Sequence, residues 1–182
     1  MRLGDRQAVS SSLGIAPEWS TLRQVHGTRL RTVAEPGPAG DADGLITERQ
    51  GLPLVVMTAD CGGVVLESSD AVAVVHAGWR GTVDGVVARA AAVLGTVERA
   101  ALGPVIGSCC FEVGADVADR FPGFVTSTTS GSTSVDLAAA IRSQLPDVDW
   151  WEAGVCTRCD AGWFSHRGSG TSKRLAAIGW IP

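Results

Sequence analysis

The sequence predicts an α+β domain, a mixed sheet with helices packed on it, and three observations lead there. Apolar runs of strand length stand at residues 54–57, 64–66 and 71–75, separated by glycine and Ser-Asp turns. Strands that are apolar throughout are buried on both faces, which asks for a layer on each side of them. After these runs, short helical and strand-like pieces alternate to the end of the chain, the pattern of a mixed sheet covered by helices.

Taken in order, residues 5–14 read as a short helix, capped by Asp5 and ended by Gly14. A loop carrying Gln24-Val25-His26-Gly27 leads into a strand at 29–33. Residues 35–41 are dense in Pro and Gly and read as a surface loop. The three apolar strands follow, then an Ala/Val-rich helix at 82–94 with Asp84 in its first turn, where a carboxylate suits the helix dipole. A strand at 100–106, a helix at 113–120, and a Ser/Thr/Gly-rich loop or hairpin at 126–134 come next. A helix at 136–145 stopped by Pro146 and strands near 149–155 and 175–180 complete the chain. No repeat or linker divides it, so 1–182 is read as one domain.

Composition narrows the function. A hydrophobic fraction of 45% with 19% charged residues belongs to a chain that folds. The formal net charge of −4, with no run of Lys or Arg, lacks the electrostatic footprint of a nucleic-acid or membrane-surface protein and directs attention to a small-molecule partner. No signal-peptide core stands in residues 1–12 and no membrane-spanning run occurs, so the expected location is cytoplasmic. Five cysteines, an odd number, point to thiols that are free or metal-bound. The three histidines all lie in Gly- or Ser-flanked segments expected to be loops at strand ends.

Three segments carry the chemistry: Gln24-Val25-His26-Gly27, Thr58-Ala59-Asp60-Cys61, and the run from His76 to Thr82. Two imidazoles and a thiolate, His26, His76 and Cys61, form a soft, nitrogen-rich donor set that suits zinc or copper, and three protein ligands leave a fourth position open for catalysis. By spacing alone two other readings stand beside it. Cys61 is then a buried small hydrophobe with each His a hydrogen-bonded loop residue, or a nucleophile activated by His76 and oriented by Asp60. Arg80, at the start of the expected helix, suits an anion such as phosphate, and Trp79 offers a flat face to an aromatic ring or simply packs. Asp60 and Glu112 are candidates for moving protons, and Cys109 and His166 for touching substrate. Cys156-Thr157-Arg158-Cys159 looks like half of a zinc ribbon, but the second Cys-x-x-Cys is missing, so no structural zinc is expected there.

With these segments collected, the sequence resembles the YfiH family, also called the laccase-domain or multicopper polyphenol oxidase family and regarded as purine nucleoside phosphorylases. The resemblance rests on QVHG at 24–27, DADG at 41–44, TADC at 58–61, HAGWRGT at 76–82, LGPVIGSCCFEVG at 102–114, CT at 156–157 and FSHR at 164–167, which run in family order along the chain. It implies mixed β-sheets packed with helices in an α/β sandwich, and a zinc ion on His26, Cys61 and His76. It further implies phosphorolysis of adenosine, inosine, guanosine and methylthioadenosine to base plus ribose 1-phosphate, together with adenosine deamination. Copper-dependent phenol oxidation is the alternative attached to the same residues. Family members extend further upstream of the Gly4-Asp5 pair, so a domain shortened at its N-terminus is expected, and with it a second alternative, a metal-binding protein without turnover. The family's TADCxP also reads here with Gly63 in place of Pro.

Overall fold

A computed structural model describes residues 3–182; the first two residues of the expected domain lie outside them. The elements are α1 (Leu3–Leu13), β1 (Ser20–Arg23), β2 (Leu30–Thr32), β3 (Gly37–Asp41), β4 (Gly44–Thr47), β5 (Leu54–Thr58), β6 (Gly62–Glu67), β7 (Val72–Ala77), α2 (Trp79–Val83) and α3 (Val86–Leu94). They continue with β8 (Arg99–Leu102), α4 (Ala115–Ala118), β9 (Val125–Ser127), β10 (Thr133–Val135), α5 (Leu137–Arg142), β11 (Asp149–Glu152), α6 (His166–Ser169) and β12 (Leu175–Gly179).

The apolar runs do go to the centre. Successive strand residues point to opposite faces, and along β7 the two sets enter different cores: Ala73, Val75 and Ala77 face a cluster that includes Val86, Val87 and Ala90 of α3 and Leu137 and Ile141 of α5. Val72 and Val74 face a second cluster with Leu45, Leu52, Leu54 and Val56. The architecture is therefore α/β with mixed sheets: a six-stranded sheet, β11-β8-β6-β7-β4-β2, with helices on one face and a four-stranded sheet, β12-β5-β1-β3, on the other. β9 and β10 form a separate antiparallel hairpin. No helix of the described residues is long and apolar enough to cross a membrane.

Several expectations shift. The three apolar strands do not share one sheet, because β5 joins the smaller sheet while β6 and β7 are antiparallel neighbours in the larger. The turn-rich segment 35–41 is no plain loop: Gly37–Asp41 pairs parallel with β1 as an edge strand, the position in a sheet that tolerates Pro38. The short strands β1 and β4, each of four residues, had no apolar run to announce them before the structure. Asp5 lies inside the first turn of α1 and is not its cap. The single helix expected at 82–94 is two helices, broken at Gly85, whose φ of 77° is left-handed and ends α2, so that Asp84 caps α2 from behind. Gly63 sits where a Cβ would lie 2.6 Å from the Cβ of Ala177, so this position of β6 is closed to side chains by β12.

Leu45, fully buried between the two sheets, tests this layering. Leu45→Ala is expected to lower the unfolding free energy by about 2–5 kcal/mol in denaturant titration; a loss within the range of a surface substitution would contradict a closed inter-sheet core.

Candidate metal centre

Sheet register brings the ligands together. β6 begins where β7 ends, with Gly62 opposite Ala77 and Gly63 opposite His76, so Cys61, the residue before β6, arrives beside His76 near the end of β7. His76 is therefore not in a loop, as its glycine neighbours suggested, but inside a buried strand, 3% exposed. Cys61 stands between two strands, three residues after β5 and directly before β6, in the link that carries the chain from the smaller sheet to the larger. His26 approaches from the turn after β1. Its loop is tied to β5 by Gln24, whose amide donates to the Met57 carbonyl at 2.7 Å and accepts the Met57 N–H at 2.9 Å. The ligand atoms of the three residues lie within 4.8 Å of one another, and the two imidazoles meet edge to face at 4.8 Å between centroids.

One carboxylate holds the arrangement. Asp43, fully buried, accepts the Nδ1–H of His76 at 2.8 Å on Oδ1. The same side chain accepts the backbone N–H groups of His26 at 2.9 Å and Gly27 at 2.7 Å, with Val25 at 3.3 Å. It thus orients the His76 ring and folds the His26 turn at once. With Nδ1 occupied, Nε2 of His76 is the nitrogen left for a ligand role, the carboxylate–histidine relay seen behind metal-bound imidazoles. The His26 turn and the link before Cys61 are both strained: His26 has φ 59° and Asp60 φ 88°, the only described non-glycine residues with positive φ, and such backbone persists where surrounding bonds over-determine it.

The donors polarise each other. Burial alone pushes the Cys61 thiol up, but hydrogen bonding and charge from His26 and His76 outweigh it and bring it down to about 7. Burial likewise disfavours the His76 imidazolium, yet the hydrogen bonds to Asp43 and Cys61 raise it to about 9. Asp43 is held below its ordinary value despite burial, by His76 and by the Gly27 and His26 N–H groups.

The residues present fit a metal ion. A Cβ on Gly78 would lie 3.2 Å from Cys61 Sγ, 3.2 Å from His26 Cδ2 and 3.5 Å from His76 Cε1, so the bare glycine leaves the space among the three donors open. A Cβ on Gly81 would stand 2.8 Å from the Gly27 carbonyl oxygen, so α2 and the His26 turn also meet at a glycine. Two imidazoles and a thiolate are a zinc-type donor set with one position free.

That free side opens into a cavity of about 490 Å³, of the size that takes a small-molecule ligand. It is lined by the three donors, by Asp60, Trp79, Arg80 and His166 from the expected set, and also by Gln24, Met57, Phe111, Arg167 and Arg174. Asp60 accepts the Thr157 hydroxyl at 2.7 Å and the Arg167 N–H at 2.6 Å, tying three segments together at the wall. The Arg80 guanidinium stacks on the Trp79 ring at 4.4 Å, so part of the flat face foreseen for a ligand serves to order an arginine. Glu112 is not brought into the lining: its side chain is exposed, and its carbonyl accepts Arg167 at 2.7 Å. Cys109 is not there either, lying instead with Cys110, Cys156 and Cys159. Sequence reasoning missed the role of Asp43, although it quoted the DADG motif, and passed over Arg167 and Arg174 as cavity cations.

Residues 3–182 match the family described as multi-copper polyphenol oxidoreductase laccase. The chain is 39% identical over 177 residues to a purine nucleoside phosphorylase of Mycobacterium tuberculosis, covering 88% of this chain and 71% of that protein. It is 37% identical over 207 residues to one of Xylella fastidiosa, covering 97% and 77%. In structure it is similar to the hypothetical protein YfiH of Bacillus licheniformis, with a TM-score of 0.90 at 25% identity over 99% of this chain and 80% of that one. YlmD of Geobacillus stearothermophilus follows with a TM-score of 0.87 at 28% identity, over 99% and 80%.

Two outcomes check the site. Asp43→Asn keeps the shape but cannot accept all of these bonds, and is expected to weaken zinc binding roughly 10–100-fold in a chelator competition; unchanged affinity would remove Asp43 from the account. Only a neutral imidazole ligates, and His76 in the metal-free protein gives up its proton near pH 9, whereas Cys61 is largely thiolate above about 7. Between these values zinc binding is expected to release about one proton and to tighten about tenfold per pH unit, read by calorimetry in buffers of different ionisation enthalpy. Affinity that is flat across this window would contradict a protonated His76.

Proposed function

The chain belongs to the multi-copper polyphenol oxidoreductase laccase family, and from that premise we propose that it is a zinc-dependent purine nucleoside phosphorylase. A phosphate oxygen attacks C1′ of the nucleoside, the bond from C1′ to the base nitrogen breaks with its electron pair going to the base, and the base takes up a proton. The products are the free base and ribose 1-phosphate, or 5-methylthioribose 1-phosphate when the substrate is methylthioadenosine. The substrates proposed are adenosine, inosine, guanosine and methylthioadenosine.

The observation that carries the reading is the composition of one cavity: a three-donor metal set shares it with Arg80, Arg167 and Arg174. Phosphorolysis needs a cationic pocket for phosphate and stabilisation of the charge that develops on the leaving base. Arg80, ordered by its stacking on Trp79, is our assignment for phosphate, with Arg167 as the second cation. The Arg174 guanidinium is engaged with the carbonyls of Thr171 and Lys173 and shapes the wall. Asp60, held by Thr157 and Arg167, is assigned to proton transfer, and His166, exposed at the start of α6, to contact with the nucleoside. Glu112 receives no chemical step, being outside the lining. Bound zinc would supply Lewis acidity or an activated water at its open position. Because three donors gather here for one ion, phenol oxidation by several coppers is not the reading adopted. Deamination of adenosine, with water replacing the 6-amino group and ammonia leaving, is proposed as a side activity of the same pocket.

Purified zinc-loaded protein is to be incubated with adenosine or inosine, with and without phosphate. Free base and ribose 1-phosphate are expected only when phosphate is present, and slow conversion of adenosine to inosine without it. Arg80→Ala should raise the KM for phosphate about 10–100-fold, the value of a lost charge-assisted hydrogen bond. Full zinc occupancy with no base released would overturn the phosphorylase reading.

A further inference from the structure

We infer a second metal site, a tetrahedral four-thiolate zinc site on Cys109, Cys110, Cys156 and Cys159, separate from the His26–Cys61–His76 centre. The sequence shows one Cys-x-x-Cys and lacks the second that a zinc ribbon needs. The fold supplies the missing half from a Cys-Cys pair far away in the chain.

β8 and β11 are parallel neighbours in the larger sheet, and the pairing continues past their ends as a bridge between Val105 and Cys156. The turns that follow these two strands therefore emerge side by side. The first is closed by the Cys110 and Phe111 N–H groups donating to the Gly107 carbonyl at 2.9 and 3.0 Å, and the second by the Asp160 N–H donating to the Cys156 carbonyl at 3.2 Å. All four sulfurs lie within 4.8 Å of one another. Zn–S bonds of about 2.3 Å put the sulfurs of a tetrahedral site roughly 3.8 Å apart, so small adjustments close the shell.

The pattern of contacts favours a metal over a disulfide. Cys159 Sγ stands 3.2 Å from Cys110 Sγ and 3.5 Å from Cys109 Sγ, shared between two partners, which an ion accommodates and one disulfide does not. Adjacent cysteines rarely serve one ion, but here the turn around Gly107 directs both side chains to the same point. Cys156 Sγ accepts the Gly107 N–H at 3.2 Å, and the N–H groups of Arg158 and Cys159 also face it. Backbone donors of this kind orient a thiolate ligand. Gly107 is confined by the cluster as well: a Cβ there would lie 3.1 Å from Cys109 Sγ and 3.4 Å from Cys156 Sγ. An all-sulfur tetrahedral shell selects zinc over the harder divalent cations.

Such an ion would clamp the turn that leads into Phe111 of the cavity lining to the turn that braces Asp60 from behind. Phe111 follows Cys110, and Thr157, whose hydroxyl holds Asp60, lies between the ligands Cys156 and Cys159. The site is structural: no position is open for a substrate.

The test uses full-length protein purified under reducing conditions and given Zn²⁺ alone. Metal analysis should find about two zinc ions per chain, and the His26→Ala/Cys61→Ser variant should keep about one, with an all-sulfur first shell by X-ray absorption. Thiol titration of that variant in its native state should find all four cysteines protected until a strong chelator is added, then all four reactive. Cys156→Ser/Cys159→Ser should keep only the ion bound by nitrogen and sulfur. Since that variant risks misfolding, the first variant decides alone: no zinc bound, a shell containing nitrogen, immediate reactivity of all four thiols, or thiols missing as disulfides after denaturation would each overturn the site. None of these outcomes depends on phosphorolysis.

Discussion

The carboxylate of Asp43 is the constraint on which the site depends. A fully buried carboxylate is costly unless every acceptor position is used, and here it meets one imidazole and backbone N–H groups from the His26 turn. Leaving such a group with half its partners costs about 3–5 kcal/mol, so the His26 turn and the His76 ring are held as one unit. The positive φ of His26 is tolerable for this reason. Gln24 ties the same loop to β5, but Asp43 is the side chain that links the His26 turn directly to the His76 ring.

The second dependence is on topology. His76 and Cys61 are fifteen positions apart in the chain, and they meet because β6 and β7 pair antiparallel with Gly63 opposite His76. The glycines of the neighbouring motifs make that pairing possible at close quarters. Gly78 leaves room among the donors, Gly81 admits the Gly27 carbonyl, and Gly63 admits β12. In each case a side chain would occupy space that another segment or a ligand needs.

The donor residues were legible before the fold was known, because His and Cys beside glycine turns are few in this chain and the ordered motifs single out the same three. The apolar strands were legible too, since β5, β6 and β7 are long and unbroken. What stayed hidden had weak local signals. β3 is a run of Gly, Pro and Ala that becomes a strand only by pairing with β1, and the break at Gly85 depends on a left-handed φ that the surrounding Ala/Val pattern masks. Two further features were hidden because they are tertiary: the assignment of β5 to another sheet, and the pairing of Cys109 and Cys110 with Cys156 and Cys159. Asp43 was quoted within a motif, but its role is visible only once the His26 turn and β7 are seen to meet at its one side chain. Glu112 shows the converse, a carboxylate in a chemistry-rich motif whose side chain the fold turns outward.

Anomalous diffraction from crystals of the zinc-loaded protein, measured at the zinc absorption edge, tests the central claim most directly. The account expects an ion joined to His26, Cys61 and Nε2 of His76, with Nδ1 of His76 still on Asp43 and the fourth position facing the cavity. An ion bound through Nδ1 of His76, with Asp43 displaced, or the absence of zinc from these three residues at saturating metal, would contradict it.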